Sequence, residues 1–306
     1  MPPEPEAKTA FARPLVALSL TEPDAGLLKY AALATALGET SEIRFAHVLP
    51  GDGPSTPSAD VEPIRRRMEE EVRAAFGKLP EQAAFDVVRG PRLDELTELS
   101  LRHRHDLLLV GHRAARSGRR SLARRLAMVA PCSVWLAPEG APSRISDILA
   151  PVDFSSDSAD ALSMATSIAA AAGIERIHAL HVYFDPSTIR YDEHADEIHG
   201  QEEAAFERML REVDCHGVHV EPVFEESTHV SDAILRVGRQ LGSDLIVMNT
   251  RGRSRAAAVF LGSVTSATMM ATPLPLLAVK HFGSRLPLLS ALLSQRIWRQ
   301  PSPKTN

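Results

Sequence analysis

A stretch of small and basic residues late in the chain has the composition of a phosphate-binding loop. The apolar run from Leu245 to Met248 is typical of a strand that is buried on both faces. The segment 249–255 that follows contains three arginines, and a helix is predicted to begin at Gly262 and Ser263. Backbone N–H groups at a helix start, the helix dipole and nearby arginines all favour an anion. The stretch is therefore predicted to hold a phosphate.

A second candidate group is Asp153, which follows the apolar strand predicted at 147–152. Ligands of open parallel sheets bind at the carboxyl ends of strands, where the strand order reverses. If this strand lies beside the one that ends at Asn249, Asp153 faces the basic loop. Its carboxylate can accept hydrogen bonds from ribose hydroxyls or a base amine, or share a divalent metal ion. The competing interpretation is that Asp153 caps the next helix, whose cap we otherwise place at Ser156 and Asp157.

The composition is that of an ordinary globular protein. The 306 residues suffice for two domains, and 44% are hydrophobic and 24% charged. A net charge of −5 argues against a protein that coats nucleic acid. No apolar run reaches the length of a membrane span, and the N-terminus lacks the features of a signal peptide. The two widely separated cysteines indicate a reducing compartment, so we expect a cytoplasmic protein.

The chain contains one strand–helix pattern twice. The segment 14–20 (PLVALSL) parallels 147–154 (DILAPVDF), and 104–113 (RHDLLLVGHR) parallels 242–251 (GSDLIVMNTR). A His-Val dipeptide also recurs, at His47 and at His181, and we interpret both histidines as core-edge residues. Such self-similarity indicates a tandem duplication. The predicted domains are 1–140, 141–282 and a C-terminal tail at 283–306.

Alternating strands and helices predict an α/β fold of two tandem, doubly wound, parallel five-stranded sheets. The predicted strands are 14–20, 43–49, 84–88, 106–111 and 133–137, then 147–152, 176–183, 218–224, 244–249 and 276–279. The predicted helices are 23–37, 64–78, 91–103 and 122–129, then 156–172, 193–213, 230–241 and one that starts at 262.

The late loop also matches a known motif. Asn249, Gly252, Gly262 and Ser263 stand at the spacing of Gly, two residues, Gly, nine residues, Gly, Ser or Thr, with Asn249 in place of the first glycine. This motif and residues 13–280 around it resemble the universal stress protein family. Asparagine tolerates left-handed backbone better than most residues, so the turn at Asn249 is expected to survive.

The resemblance implies the fold of adenine nucleotide alpha hydrolases, with flavodoxin-like layering and an intrachain pseudo-dimer paired through the fifth strands. It implies an ATP site in the second half, with Asp153 as the strand-end aspartate and Val182 beside the adenine. A magnesium ion would reach Asp153 only through the nucleotide. The implied nucleotide-binding residues are Asp153, Val182, Asn249, Arg251, Gly252, Arg253, Gly262, Ser263 and Val264.

The first half departs further from the family. Counting from Gly111 places Ala114, Arg124 and Arg125 at the remaining motif positions, and Ser19 stands where the aspartate would be. Arg124 would then occupy the space of a phosphate. We expect this half to have lost nucleotide binding and to act as a structural or regulatory partner.

These features predict a cytoplasmic stress-response protein that binds ATP or a related adenine nucleotide. It would signal through ligand-dependent ordering of the loop at 250–262, which a protein partner of unknown identity reads. The sequence contains neither a Walker lysine nor a G-x-S-x-G motif, so at most weak ATPase activity is expected. Two alternatives stay open. One is a nucleotide-free interaction protein of this fold, and the other is a hydrolase or transferase of adenylylated substrates.

Three further features of the sequence are a group of one cysteine and two histidines, a second cysteine and the C-terminal tail. Cys215, His216 and His219 are close in sequence but straddle a turn, so a zinc site is not favoured. Cys132 precedes a buried strand and is interpreted as an inert small apolar residue. The tail at 283–306 reads as an amphipathic helix that docks on the chain itself or on a sister subunit, so a homodimer is left open. A membrane surface is the alternative for the tail.

The motif predicts that Gly262→Arg abolishes ATP binding, because the new side chain would fill the phosphate position. Titration calorimetry with wild type and variant measures the effect. Binding of ATP by the variant with the affinity of wild type would mean that the site is misplaced.

Overall fold

The computed structural model describes residues 11–21, 24–51, 58–112, 121–140, 144–184, 195–250 and 261–280. Side chains are not described at 58–60 and 195–199. All other statements of structure concern these ranges. Within them, no helix is both long and apolar enough to cross a bilayer.

Ten strands and eight helices alternate along the described ranges. The first half contains β1 Pro14–Leu18, α1 Asp24–Ala36, β2 Ile43–Leu49, α2 Ser58–Phe76, β3 Ala83–Arg89, α3 Arg92–Arg102, β4 Leu107–His112, α4 Leu122–Val129 and β5 Ser133–Pro138. The second half contains β6 Ile148–Val152, α5 Ser156–Ala171, β7 Arg176–Tyr183, α6 Ala195–Leu210, β8 His219–Glu226, α7 Val230–Leu241, β9 Leu245–Asn249, α8 Ser263–Ala271 and β10 Leu276–Val279.

All strands join one ten-stranded sheet in the order β3-β2-β1-β4-β5-β10-β9-β6-β7-β8. Pairing is parallel within each half, and β5 pairs with β10 antiparallel, with Trp135 opposite Leu277. The predicted α/β fold with two doubly wound parallel halves is confirmed. The halves meet through their fifth strands, as the resemblance implied.

Apolar side chains on the two faces of the sheet form two separate cores. One core takes its helical residues from α1, α2, α5 and α6, and the other from α3, α4, α7 and α8. Strands that are covered on both faces need apolar residues at every position, which explains fully buried runs such as β6 and β10. The three-layer arrangement leaves the carboxyl ends of the strands as the place for a ligand.

Most predicted element bounds agree with the structure, and the largest difference lies at the start of α2; smaller ones are the end of α6, at Leu210 instead of 213, and the end of β8. Helix α2 begins at Ser58, six residues before the predicted start, and it contains Pro63. Proline has a helical φ and removes one hydrogen-bond donor, so a helix can continue through it near its start. Strand β8 continues to Glu226, where Glu225 pairs with Arg236 at 2.7 Å.

An aspartate before the fourth strand of each half holds the chain that enters the first strand. Asp244 accepts hydrogen bonds from the Ser146 N–H (3.0 Å), the Ser146 hydroxyl (2.6 Å) and the Asp147 N–H (3.1 Å). Asp106 accepts from the Ala12 N–H at 2.7 Å in the same way. Burial is the largest influence on Asp106 and raises its pKa, against the hydrogen bonds that lower it. Asp106 therefore anchors β1, and Asp244 anchors β6. Each of these strands lies at the centre of its half.

Asp244→Ala is expected to destabilise the protein by about 3 kcal/mol, because the N–H groups of Ser146 and Asp147 lose a charged acceptor that is itself buried. Urea unfolding followed by circular dichroism measures the change. Glu207→Ala, which removes an exposed carboxylate from α6, is the matched control and should stay within about 0.5 kcal/mol of wild type. Equal midpoints for the two variants would contradict the anchoring role.

Candidate functional site

The strand order of the second half reverses between β6 and β9. These strands are neighbours, with Ile148 opposite Leu245 and Leu149 opposite Ile246. From this pair the sheet continues through β7 on one side and β10 on the other. Asp153 and Asn249 therefore lie at the carboxyl ends of adjacent parallel strands. The condition set by the sequence, that these two strands are neighbours, is therefore met.

Asp153 organises the start of α5 without being its cap. Its Oδ1 accepts from the Ser155 N–H at 3.2 Å and from the Ser155 hydroxyl at 2.5 Å. The N-cap is Ser155, whose hydroxyl accepts from the Ser158 N–H at 3.2 Å. The predicted cap at Ser156 and Asp157 is wrong by one residue, since these residues already belong to the first turn. The carboxylate is thus held by the cap residue at the strand end.

The residue after Asp153 has strained backbone, and the first half repeats the strain. Phe154 has a φ of 60° and Leu20 has a φ of 56°, in the left-handed region that side chains disfavour. Behind each of them a histidine ring nitrogen contacts the last carbonyl of the preceding strand. His181 Nδ1 lies 2.9 Å from the Val152 oxygen. In the first half, His47 Nδ1 lies 3.0 Å from the Leu18 oxygen.

The two strand histidines are therefore more than core-edge residues. A carbonyl oxygen only accepts, so Nδ1 carries the proton and each ring is fixed in orientation. His181 also stacks on Phe154, with ring centroids 4.0 Å apart, and its Nε2 lies 3.3 Å from Glu202 on α6. Met68 takes the place of Glu202 in the first half, since both follow their histidine by the same number of residues. The polar contact to α6 thus belongs to the second half alone.

The first turn of α8 presents backbone donors at the same edge of the sheet. Its N-cap, Gly262, has φ −55° and ψ 147° and supplies no side-chain cap. The Gly262 N–H donates to the Thr250 oxygen at 2.8 Å, so it is not available to a ligand as predicted. The first helical bond runs from the Ser266 N–H to the Gly262 oxygen. Three N–H groups in between have no acceptor among the described residues: those of Ser263, Val264 and Thr265.

Asn249 does not adopt the left-handed conformation that the sequence led us to expect. It is the last residue of β9, where extended backbone satisfies the sheet, and it is absent from the described residues with positive φ. The backbone oxygen of Asn249 accepts a hydrogen bond from the Thr265 hydroxyl at 2.8 Å, and this bond links β9 to α8. Its Nδ2 is buried and has no hydrogen-bond partner in the described ranges. Strand alternation places its side chain with Leu245 and Val247, on the face opposite α8.

Apolar side chains line the face of the sheet beside the α8 terminus. Val182 on β7 and Val264 on α8 are both partly buried and pack against the same core, as does Leu261. Val182 therefore lies on the face of the sheet that α8 covers. The predicted Arg251, Gly252 and Arg253 lie outside the described residues.

The first half closes its own equivalent of this helix start. The N-cap of α4 is Ser121, with φ −63° and ψ 144°, and its hydroxyl accepts from the Arg124 N–H at 3.2 Å. The two N-caps show that Ser121, rather than Arg124, corresponds to Gly262. Ser121 follows Gly111 by ten positions, whereas Gly262 follows Asn249 by thirteen. Counting forward from Gly111 therefore placed the motif wrongly, and alignment backward from β5 and β10 would have found the cap.

The acid of the first half is displaced rather than lost. Ser19 stands where Asp153 stands in the second half, and Asp24 stands where Ser158 stands. Asp24 is 3% exposed and accepts from the Ser19 hydroxyl at 2.8 Å and from the Leu20 N–H at 2.5 Å. The carboxylate of Asp24 therefore makes these hydrogen bonds within the connection between β1 and α1. The exchange of acid and hydroxyl was visible in the sequence only as the absence of an aspartate at Ser19.

Comparison with known proteins agrees with this geometry. Residues 145–280 match the model of the universal stress protein family. The second half of the chain is a universal stress protein domain. Because each half of the sheet repeats the same strand order, the two halves form a tandem of one fold.

Solved structures of similar fold extend over nearly the whole tandem. A universal stress protein from Archaeoglobus fulgidus is similar at 21% identity and a TM-score of 0.64, covering 88% of this chain and 98% of its own. A functionally uncharacterised protein from Pseudomonas aeruginosa is similar at 17% identity and a TM-score of 0.66, covering 94% and 98%. A universal stress protein solved with cAMP has a TM-score of 0.37 and 22% identity, covering 44% and 97%. A search among curated proteins finds no match.

The described histidines and cysteines form no cluster for a metal ion. His216 Nδ1 contacts Asp214 at 2.7 Å instead of turning toward Cys215. In the described part of the chain, no group of three or more potential metal-ligating side chains occurs. Both cysteines are free thiols. Burial raises the pKa of the Cys132 thiol to about 12, and it also raises the pKa of Cys215.

Alkylation by iodoacetamide at pH 8 should therefore modify Cys215 well before Cys132. At that pH only about one Cys132 thiol in ten thousand is ionised, and the thiolate is the reacting form. Peptide mass spectrometry over time measures the two rates, with urea-unfolded protein as the control in which the rates converge. Faster labelling of Cys132 in the folded protein would contradict its burial in the core.

Proposed function

We propose that the second half binds ATP or a related adenine nucleotide, and that the protein acts in the cytoplasm as a stress-response protein. The phosphates would lie at the start of α8, the adenine beside Val182 and the ribose near Asp153. The first half would bind no nucleotide of its own. Ligand binding would draw in the basic loop between Thr250 and Gly262, a segment mostly outside the described residues, and so change a surface that a partner reads.

The observation that carries the proposal is the difference between the two equivalent helix starts. In the first half, Ser121 satisfies a first-turn amide of α4 with its own hydroxyl. In the second half, Gly262 has no side chain, and the N–H groups of Ser263, Val264 and Thr265 have no acceptor among the described residues. A helix start with unsatisfied N–H groups binds anions through those donors and through the dipole. The start of α8 thus offers a phosphate one first-turn amide that a side chain already occupies at the start of α4.

The position of this helix start supports a nucleotide rather than a free phosphate. It lies at the point of strand reversal, where doubly wound folds bind extended ligands across the crevice. Asp153 provides an acceptor for hydroxyl groups on one side, and Val182 provides apolar surface for a base. A free phosphate would need neither of them.

A magnesium ion fits this site only as a companion of the nucleotide. Asp153 is the one carboxylate that we assign to the site, and two donors of Ser155 already bind its Oδ1. Magnesium often combines one or two protein carboxylates with substrate phosphates. The ion would supply neutralisation of phosphate charge, while Asp153 would hold the ribose edge in place.

The proposal predicts that Gly262→Ser weakens ATP binding roughly tenfold or more, because the new hydroxyl takes a donor that a charged phosphate would use. The backbone at Gly262 has φ −55° and ψ 147°, which serine adopts readily, so the substitution asks for no change of backbone conformation. The measurement is titration calorimetry with ATP and with cAMP, preceded by denaturation of purified protein to detect carried nucleotide.

Gly262→Ala is the matched control, since it adds a Cβ without an acceptor and should bind ATP more tightly than the serine variant. Absence of binding by wild type at millimolar ATP would overturn the proposal in favour of a nucleotide-free interaction protein. Equal affinity of the serine variant and wild type would place the phosphate elsewhere.

A further inference from the structure

Helices α4 and α8, which belong to different halves, pack against each other antiparallel. Ser121 at the start of α4 contacts Met270 near the end of α8, with oxygen and sulfur 3.9 Å apart. Arg124, further along α4, meets Ser266 on α8. Side chains of the first half therefore reach the helix that begins the candidate site of the second.

Arg124 is bound to α8 by a short hydrogen bond. Its Nε donates to the Ser266 hydroxyl at 2.6 Å. A guanidinium has five N–H donors, and this bond uses one of them. In the described part of the chain the guanidinium has no other hydrogen bond and no ion pair. Its remaining donors are therefore available to a further acceptor.

Ser266 lies one helical turn from the open end of α8. It stands three residues after Ser263, and residues at this spacing share a helix face with Cβ atoms about 5–6 Å apart. Arg124 is thus within roughly one turn of the amides that would hold a phosphate.

A bound anion would interact favourably with both Arg124 and the start of α8. The start of a helix carries partial positive charge, and a cation beside it is repelled. Neither α4 nor α8 contains an acidic residue that would neutralise Arg124. A local rule that is broken without compensation is typical of a functional site. A bound polyphosphate would provide the missing negative charge.

The geometry points to Arg124 as a phosphate-binding residue that the first half contributes to the nucleotide site of the second. This assignment rests on the proposed function. Arg124 would contact the phosphate farthest from the ribose, so it would favour ATP over AMP. It would also make α4, and with it the first half, sensitive to the number of phosphates in the bound ligand.

The test compares Arg124→Ala with Arg125→Ala, an adjacent variant that removes an equal charge from an exposed side chain. Calorimetric titrations with ATP, ADP and AMP are made on the full chain. Arg124→Ala should weaken ATP at least tenfold while changing AMP by less than twofold. Arg125→Ala should leave both within twofold of wild type. Arg124→Lys, which keeps the charge, should restore part of the preference for ATP.

Failure of this assignment can be told apart from failure of the site itself. If wild type binds ATP and the two alanine variants bind it equally, Arg124 is not a phosphate-binding residue, although the nucleotide site stands. The same holds if Arg124→Ala weakens ATP and AMP by the same factor. If wild type binds no nucleotide, both proposals are overturned. Thermal unfolding of each variant checks that a loss of binding does not come from a loss of folded protein.

Discussion

The antiparallel pairing of β5 with β10 is the constraint on which the rest of the molecule depends. Without it, each five-stranded half would end in an exposed edge with unpaired backbone groups. The pairing removes both edges and places α4 and α8 side by side. Lys280, just after β10, reinforces the junction by donating to the oxygens of Met128 and Ala130 at the end of α4. A cation at a helix end that carries partial negative charge is favourable there.

This junction gives two copies of one fold different roles. Features that the fold itself requires are present in both halves, such as the aspartate anchors and the histidines behind the left-handed residues. Other features differ: of α4 and α8, only α8 starts without a side-chain cap, and of Ser19 and Asp153, only the residue in the second half is an acid. In the first half, Ser121 caps α4, and Asp24 is buried and hydrogen-bonded to Ser19 and Leu20. The second half leaves the corresponding groups at the edge of the sheet, where a ligand can reach them.

The contrast also explains why loss of binding in the first half would cost no stability. A helix cap contributes about 1 kcal/mol, so closing an unused site with serine is favourable. By comparison, a helix start without a side-chain cap is favourable only where another acceptor binds its first-turn N–H groups. Under the proposed function, the uncapped start of α8 is such an arrangement.

The sequence by itself determined the elements and their order, because apolar runs and turn residues are local signals that survive without partners. It also determined that Asp153 and Asn249 end two strands, from the strand pattern of the duplication. It misplaced the cap at Ser155, the backbone of Asn249 and the counterpart of Gly262. Such details depend on hydrogen bonds and on a connection whose length differs between the halves.

Only the tertiary structure decided what crosses from one half to the other. Arg124 and Ser266 are separated by 142 positions, and no periodicity links them. Their contact follows from the β5–β10 register, which sets α4 against α8. Likewise, only the structure of the two loops shows that the acid and the hydroxyl exchange positions. Ser19 corresponds to Asp153, and Asp24 corresponds to Ser158. The sequence determines local structure and local chemistry, whereas contacts between distant side chains depend on how the two halves of the sheet pair.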